Sequence, residues 1–221
     1  MQILFEDYYL LVVNKPAGLS TESGGGTHPS AEKEALFYFT AQLNEKSTSK
    51  QLKPTPYLRA VHRLDRPASG VLVLAKTKAA LTDLMTQFEN RETQKTYLAI
   101  TPNLPPADSG TLTHWLKKDE AGRKALVFDR DGKGLQKAEL RYTVREKNWK
   151  GALLELHPLT GRFHQIRAQL GHIGCPIFGD ELYGSRPWKE YQIKLHAWKL
   201  KFRHPKSGEI MEIEAPVPEN W

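Results

Sequence analysis

Apolar positions along this chain fall mostly into short runs, with few long helical stripes. Ile3 to Glu6 and Tyr9 to Asn14 alternate or run apolar about a turn at residues 6 to 8, which predicts a strand pair stopped by Lys15-Pro16-Ala17-Gly18. From Ser30, the positions Ala35, Leu36, Phe39 and Leu43 share one helical face, which gives way to the polar segment Asn44 to Lys53, read as an exposed loop. A strand follows Pro56. Val71 to Ala75 is a continuous apolar run of strand length, and Thr77 after it is placed as a helix N-cap. Leu81, Leu84, Met85 and Phe88 then keep the i, i+3, i+4, i+7 rule, so Lys78 to Asn90 is predicted as an amphipathic helix with these four in the core.

Period-two patterns dominate the rest. Lys95 to Ile100, Thr111 to Leu116, Lys137 to Arg145 and Gly151 to Leu156 read as strands, with Asp131-Gly132-Lys133-Gly134 a turn. Ile166 and Leu170 mark a short helix opened by Thr160 or Gly161 and closed near Gly171 or Gly174. Lys194 to Arg203 and Ile210 to Glu214 form a closing hairpin, in which the alternation of Trp198, Lys199, Lys201 and Arg203 is the pattern of a solvated face or of an RNA-facing one. Strands interspersed with helices, without regular βαβ alternation, give an α+β class with a mainly antiparallel sheet.

Composition adds one strong cue. A formal net charge of +7 and a pI near 9.4 give a surface that attracts polyanions. Cys175 is the only cysteine, which excludes an intramolecular disulfide framework and fits a reducing, cytoplasmic compartment. The apolar run Tyr8 to Val13 is far too short to span a bilayer. Boundaries at Asn44 to Lys53 or Pro102 to Gly110 are weak, and the chain reads as a single domain, with two lobes around one site as the variant.

Chemistry concentrates in Val61 to Lys76, VHRLDRPASGVLVLAK. Arg63, Asp65 and Arg66 are too costly to bury alone, so they are paired, exposed or functional. Pro67, Ser69 and Gly70 make a turn into a buried strand, with Gly70 the residue suited to positive φ. An acid acting as nucleophile must be ionised, and cations at Arg63, Arg66 or the distant Arg167 serve that end. Arg162, His164 and Arg167 are expected around a helix start, where the dipole favours an anion. Tyr97, on a strand, reads from its pattern alone as packing. The glycines of Ser23 to Thr27 lack phosphate-loop spacing and read as a mobile loop, and His164, His172 and Cys175 match no common zinc spacing.

The run His62-Arg63-Leu64-Asp65-Arg66, with Ser69-Gly70 and Ala75 after it, resembles the catalytic signature of RluA-type pseudouridine synthases. Asn14 to Gly18, Lys95 to Ala99, Thr160 to Arg167, Gly174 to Gly184 with Gly179-Asp180, and His204-Pro205 resemble the same family in the same order. The resemblance implies the pseudouridine synthase fold, with a mainly antiparallel mixed central sheet, flanking helices and a catalytic cleft. It implies isomerisation of uridine in structured ribosomal or transfer RNA, with base flipping and without metal, nucleotide or redox cofactor. Asp65 matches the essential aspartate, Tyr97 the active-site tyrosine that stacks on the base, and Arg167 the basic residue paired with the aspartate. Arg63 matches a residue that fills the space the base leaves, and Ile166 an apolar wall of the uridine pocket. His62, Arg66, Arg162 and His164 complete the expected RNA-binding set. Ala68 departs from the threonine usual before Ser-Gly, which removes a hydroxyl from the turn.

The expected enzyme is a monomer with RNA as its partner and no S4-type RNA-binding domain. A non-catalytic RNA-binding or RNA-folding factor is the alternative, opposed by the intact Asp65, Tyr97 and Arg167. A glycosidase would need a second carboxylate, for which the matched blocks offer Asp180 or Glu181.

Overall fold

The computed structural model describes residues 1–23, 28–45, 56–219 and 221. The Ser23 to Thr27 loop beyond Ser23 and the polar segment after Glu45 lie outside the described residues. The chain forms two compact units, one of Met1–Thr93 with Lys199–Pro216, the other of Gln94–Trp198 with Val217–Trp221. Every strand-to-strand pairing described within them is antiparallel.

In the first unit, β1 (Gln2–Glu6) pairs with β2 (Leu10–Lys15), and β2 with β4 (Ser69–Ala75), which also takes the two-residue β3 (Arg59–Ala60). β2 and β4 are apolar without alternation because both faces are covered: all seven residues of β4 are buried. Their core includes Leu10, Val12, Val71, Val73 and Leu84, with Leu200 and Phe202 from the end of the chain. Those last two lie on β10 (Leu195–Arg203), which crosses from the second unit to the first at Trp198 and pairs there with β11 (Ile210–Glu214). Lys199 pairs with Glu214 and Arg203 with Glu92.

Helix α1 covers Ala31–Glu45, and α2 covers Lys78–Glu89. Thr77 caps α2 as expected, its Oγ1 accepting from Ala80 N at 3.1 Å. The core assignment on α2 needs one correction. Met85 is 52% exposed, while Gln87 is buried, because the buried face is centred on Ala80, Leu84 and Gln87. Gln87 tolerates burial by bonding both backbone groups of Arg203, Nε2 to O at 2.9 Å and Oε1 from N at 2.9 Å.

The second unit is a five-strand antiparallel array in the order β5 (Gln94–Thr101), β9 (Gly151–Pro158), β8 (Gln136–Asn148), β6 (Ser109–Asp119), β7 (Lys124–Phe128). The pattern predicts all of these but β7, whose five residues KALVF are too few to show a period. Helix α3 is Gln165–His172, starting four or five residues later than Thr160 or Gly161 predicts. Those residues instead form a turn that the helix's own side chains hold.

Gly151 shows what close strand packing demands. It has φ +135°, and a Cβ there would lie 2.0 Å from the Thr101 carbonyl oxygen of the neighbouring β5. Gly134 also has positive φ, but its Cβ would meet nothing within 4 Å. Gly134→Ala is therefore expected to cost about 1–2 kcal/mol, the left-handed penalty alone. Gly151→Ala should cost clearly more, roughly 3 kcal/mol or above, because backbone must move. Urea unfolding of the two variants checks the order, and equal losses would refute the close-approach account.

Candidate active site

In the first unit, Asp65 sits half-buried in a turn closed by Ala68 N donating to Asp65 O at 3.1 Å. Buried Ala68 thus completes the turn through its backbone, without a side-chain hydroxyl. Gly70, at the start of β4, has φ +119°, the positive value its sequence position suggests. The turn is held less by its own residues than by the chain just after β2. Gly18 N donates to Arg66 O at 2.8 Å, and Arg66 Nε returns a bond to Gly18 O at 2.9 Å. Thr21 Oγ1 donates to Leu64 O at 2.9 Å and accepts from Leu64 N at 3.1 Å. Backbone on both sides of Asp65 is thereby fixed.

Beneath this clamp lies Lys15, at 0% exposure. Its ammonium donates to the carbonyls of Pro16 at 2.9 Å, Leu19 at 2.7 Å and Arg66 at 3.4 Å. Burial pulls the Lys15 pKa down to about 7, and the Asp65 carboxylate opposes that fall. Lys15 is therefore a buried cation in the field of Asp65 that the sequence pattern does not single out beside Arg63, Arg66 and Arg167. The missed signal is a lysine at the end of a four-residue apolar strand run.

The neighbours of Asp65 divide by environment. Arg63 is exposed and makes no hydrogen bond or ion pair among the described residues. Arg66, also exposed, spends its Nε on Gly18. His62 is inward: its ring stacks on Phe88 with centroids 4.8 Å apart, and Nε2 accepts from Val73 N at 3.2 Å.

In the second unit, Tyr97 is half-buried on β5 opposite Leu156. Helix α3 buries six consecutive residues, Gln165 to Leu170, although three are polar. Each polar one has work to do. Gln165 Oε1 accepts from Thr160 Oγ1 at 2.7 Å and Arg162 N at 3.0 Å, and its Nε2 donates to Glu139 O at 3.0 Å. This ties the turn 160–164 to both α3 and β8. Arg162 Nε reaches Lys137 O at 3.1 Å, and Ile166 is buried.

Arg167 is also buried, 6% of its side chain exposed, and its guanidinium binds Asp180 in a two-point bridge, Nε to Oδ2 at 2.7 Å and Nη2 to Oδ1 at 2.9 Å. Such a pair fixes the plane of the guanidinium as well as its place. Nη1 lies 3.0 Å from His164 Nε2. Arginine only donates, so Nε2 carries the lone pair and Nδ1 the proton, which faces the Tyr183 hydroxyl oxygen at 3.1 Å. His164 is thus a neutral positioning group, with φ +52°, just outside the helix start. Asp180, which the sequence offers only as the second carboxylate of a glycosidase, and Tyr183, to which it gives no role, belong to a matched sequence block; the sequence cannot show which arginine the aspartate meets.

Three residues form a candidate cation site. Ligand atoms of His114, Asp129 and His172 lie within 4.8 Å of one another. Gln169 Nε2 lies 3.1 Å from His114 Nδ1 and 3.2 Å from the carbonyl oxygens of Leu112 and Ala138, while His114 Nε2 lies 3.9 Å from Asp129. His172 Nε2 bonds Asp129 at 2.7 Å, and Cys175, from the rejected zinc set, is buried against Leu104 O.

Buried Lys15 generates a pH dependence of stability. Unfolded, it titrates near 10.5, and folded, near 7. Between these values the unfolded chain binds the extra proton, so stability should rise with pH across that window, by at most about 1.4 kcal/mol per pH unit. Below pH 7 both states are protonated and the contribution is constant. Urea unfolding of wild type and Lys15→Met from pH 7 to 9.5 tests this: the variant should lack the rise, and parallel profiles would contradict it.

Comparison with known proteins places these features in a family. The model of the family described as RNA pseudouridylate synthase matches residues 9–172. Ribosomal large subunit pseudouridine synthase C of Yersinia pestis is 36% identical over 225 residues, covering 97% of this chain and 65% of its own length. The uncharacterized RNA pseudouridine synthase YlyB of Bacillus subtilis is 34% identical, covering 100% of this chain and 70% of its own. The chain therefore spans about two thirds of the length of these curated relatives. Among solved structures, human RNA pseudouridylate synthase domain containing 4 aligns with a TM-score of 0.78 at 25% identity, over 99% of this chain and 89% of that one. The family match takes in Asp65, Tyr97 and Arg167, and the chain belongs to the RNA pseudouridylate synthase family.

Proposed function

We propose that this protein isomerises uridine in RNA to pseudouridine, with Asp65, Tyr97 and Arg167 as its catalytic residues. The reaction breaks the bond from N1 of uracil to C1′ of ribose and forms one from C5 to C1′; C5 loses a proton and N1 gains one. Nothing is oxidised or reduced. The observation that carries the reading is the family match over residues 9–172, within which an aspartate is fixed on a turn by backbone bonds at Leu64 and Arg66. Rigid presentation is what a nucleophilic carboxylate needs, since the reacting atoms must meet in a narrow range of geometry.

Other residues take supporting roles in this reading. Arg63, exposed and without a bonded partner among the described residues, fills the space the flipped base leaves. Tyr97 stacks on the base, and Ile166 supplies apolar contact. Arg167 is the counter-charge of the aspartate, its plane set by Asp180. That pairing also weighs against a hydrolytic glycosidase, because Asp180 is committed to a guanidinium and is no free second acid. The substrate we favour is large-subunit ribosomal RNA, named for the Yersinia pestis relative. The reading is of a cytoplasmic monomer; no helix among the described residues is long and apolar enough to cross a membrane.

Pseudouridine mapping in cells lacking the gene tests the function. Wild type should restore one or more lost sites, and Asp65→Asn should lower restoration more than about 1,000-fold while folding normally. Restoration by the folded variant would remove Asp65 from the mechanism. If deletion changes no site, the non-catalytic RNA factor becomes the better reading.

A further inference from the structure

Phe163 has no role in the chemistry above, yet its placement is unusual. Residues adjacent in sequence ordinarily point apart, but here the Phe163 and His164 rings stack face to face, with centroids 3.8 Å apart and planes 17° from parallel. The left-handed backbone at His164, φ +52°, accompanies this arrangement, and such a conformation is costly for a residue with a side chain. His164 is held at both ring nitrogens, by Arg167 and Tyr183, so Phe163 rests on a fixed base. It is 40% exposed.

Cations surround it. Lys118 Nζ lies 5.3 Å from the Phe163 ring centroid on a side chain 48% exposed, and is shared with Glu120 at 2.8 Å. Lys95 Nζ lies beside Gly161, and Arg162 precedes Phe163 in the same turn. A rigid aromatic face among cations is the arrangement that binds single-stranded nucleic acid, the ring stacking a base and the cations meeting phosphates.

We propose that Phe163 is a stacking platform for an unpaired base of the RNA close to the target uridine, with Lys118 released from the ring to contact the backbone. This rests on the functional reading above. It adds a binding subsite for a second nucleotide, and gives His164 the task of holding that platform against Arg167.

The test uses ribosomal RNA isolated from cells lacking the gene, with rates of pseudouridine formation measured against RNA concentration. Phe163→Ala and Phe163→Leu should raise KM about 5- to 50-fold with kcat within twofold, while Phe163→Trp, which keeps a stacking face, should stay within twofold of wild type. Lys118→Gln should reduce the slope of log KM against log salt by about 1. A leucine variant as good as wild type would show that Phe163 offers only apolar bulk, and an alanine variant within twofold would show that it offers nothing; either overturns the platform. A loss confined to kcat would overturn it too, by making Phe163 a positioning residue. If wild type forms no pseudouridine in either the ribosomal or the transfer RNA fraction of those cells, the functional reading falls and the platform with it. If wild type is active and Phe163→Ala equals it, the platform alone falls.

Discussion

The clamp between the chain following β2 and the turn carrying Asp65 is the constraint on which the first unit's chemistry depends. Gly18 and Arg66 exchange bonds, Thr21 and Leu64 do the same, and a buried ammonium gathers the carbonyls of residues 16, 19 and 66 from below. Each neutral bond contributes only about 1 kcal/mol net, but bonds on both sides of one residue remove its freedom to swing. The position of Asp65 is set by residues more than forty places earlier in the chain. Lys15 is a strained choice for that task, since burial acts against its charge. Carbonyl oxygens and the nearby aspartate are what make the charge tolerable.

A similar arrangement recurs in the second unit with different parts. α3 is short and buried around most of its surface, so its polar side chains must find partners indoors. Gln165 finds them in the preceding turn and in β8; Arg167 finds Asp180. A helix of aliphatic residues would pack as well but would leave the 160–164 turn and the guanidinium without fixed orientation. Polar burial here provides geometry more than stability.

How much of this the sequence reveals depends on whether the cause is local. The buried strand Ser69–Ala75, the Thr77 cap and the positive φ of Gly70 follow from neighbours in the chain, and all are legible. Asp65 stands out because an acid among cations before an apolar strand has few bland explanations. Lys15 does not, because a lysine's burial depends on which carbonyls converge on it. The exposure of Met85 and burial of Gln87 escape the helical rule for the same reason: Gln87 is recruited by the backbone of Arg203, 116 positions away. Pairing of Arg167 with Asp180 requires knowing that the turn after Pro176 folds back on α3. Family resemblance marks both residues without saying that they touch.

The first unit draws its last strands from the far end of the chain. Leu200 and Phe202 complete its core, and His204 bonds Asp7 at 2.8 Å across 197 positions. On the ribosome, the residues that carry Asp65 emerge early but cannot close their core until β10 and β11 have been made. Residues 94–198 of the second unit have by then been synthesised. Vectorial synthesis therefore imposes an order in which the aspartate's scaffold closes only after residues 94–198 have emerged, with the apolar faces of β2 and β4 waiting open in the meantime. Those faces are where a chaperone, or a neighbouring nascent chain, would first find this protein.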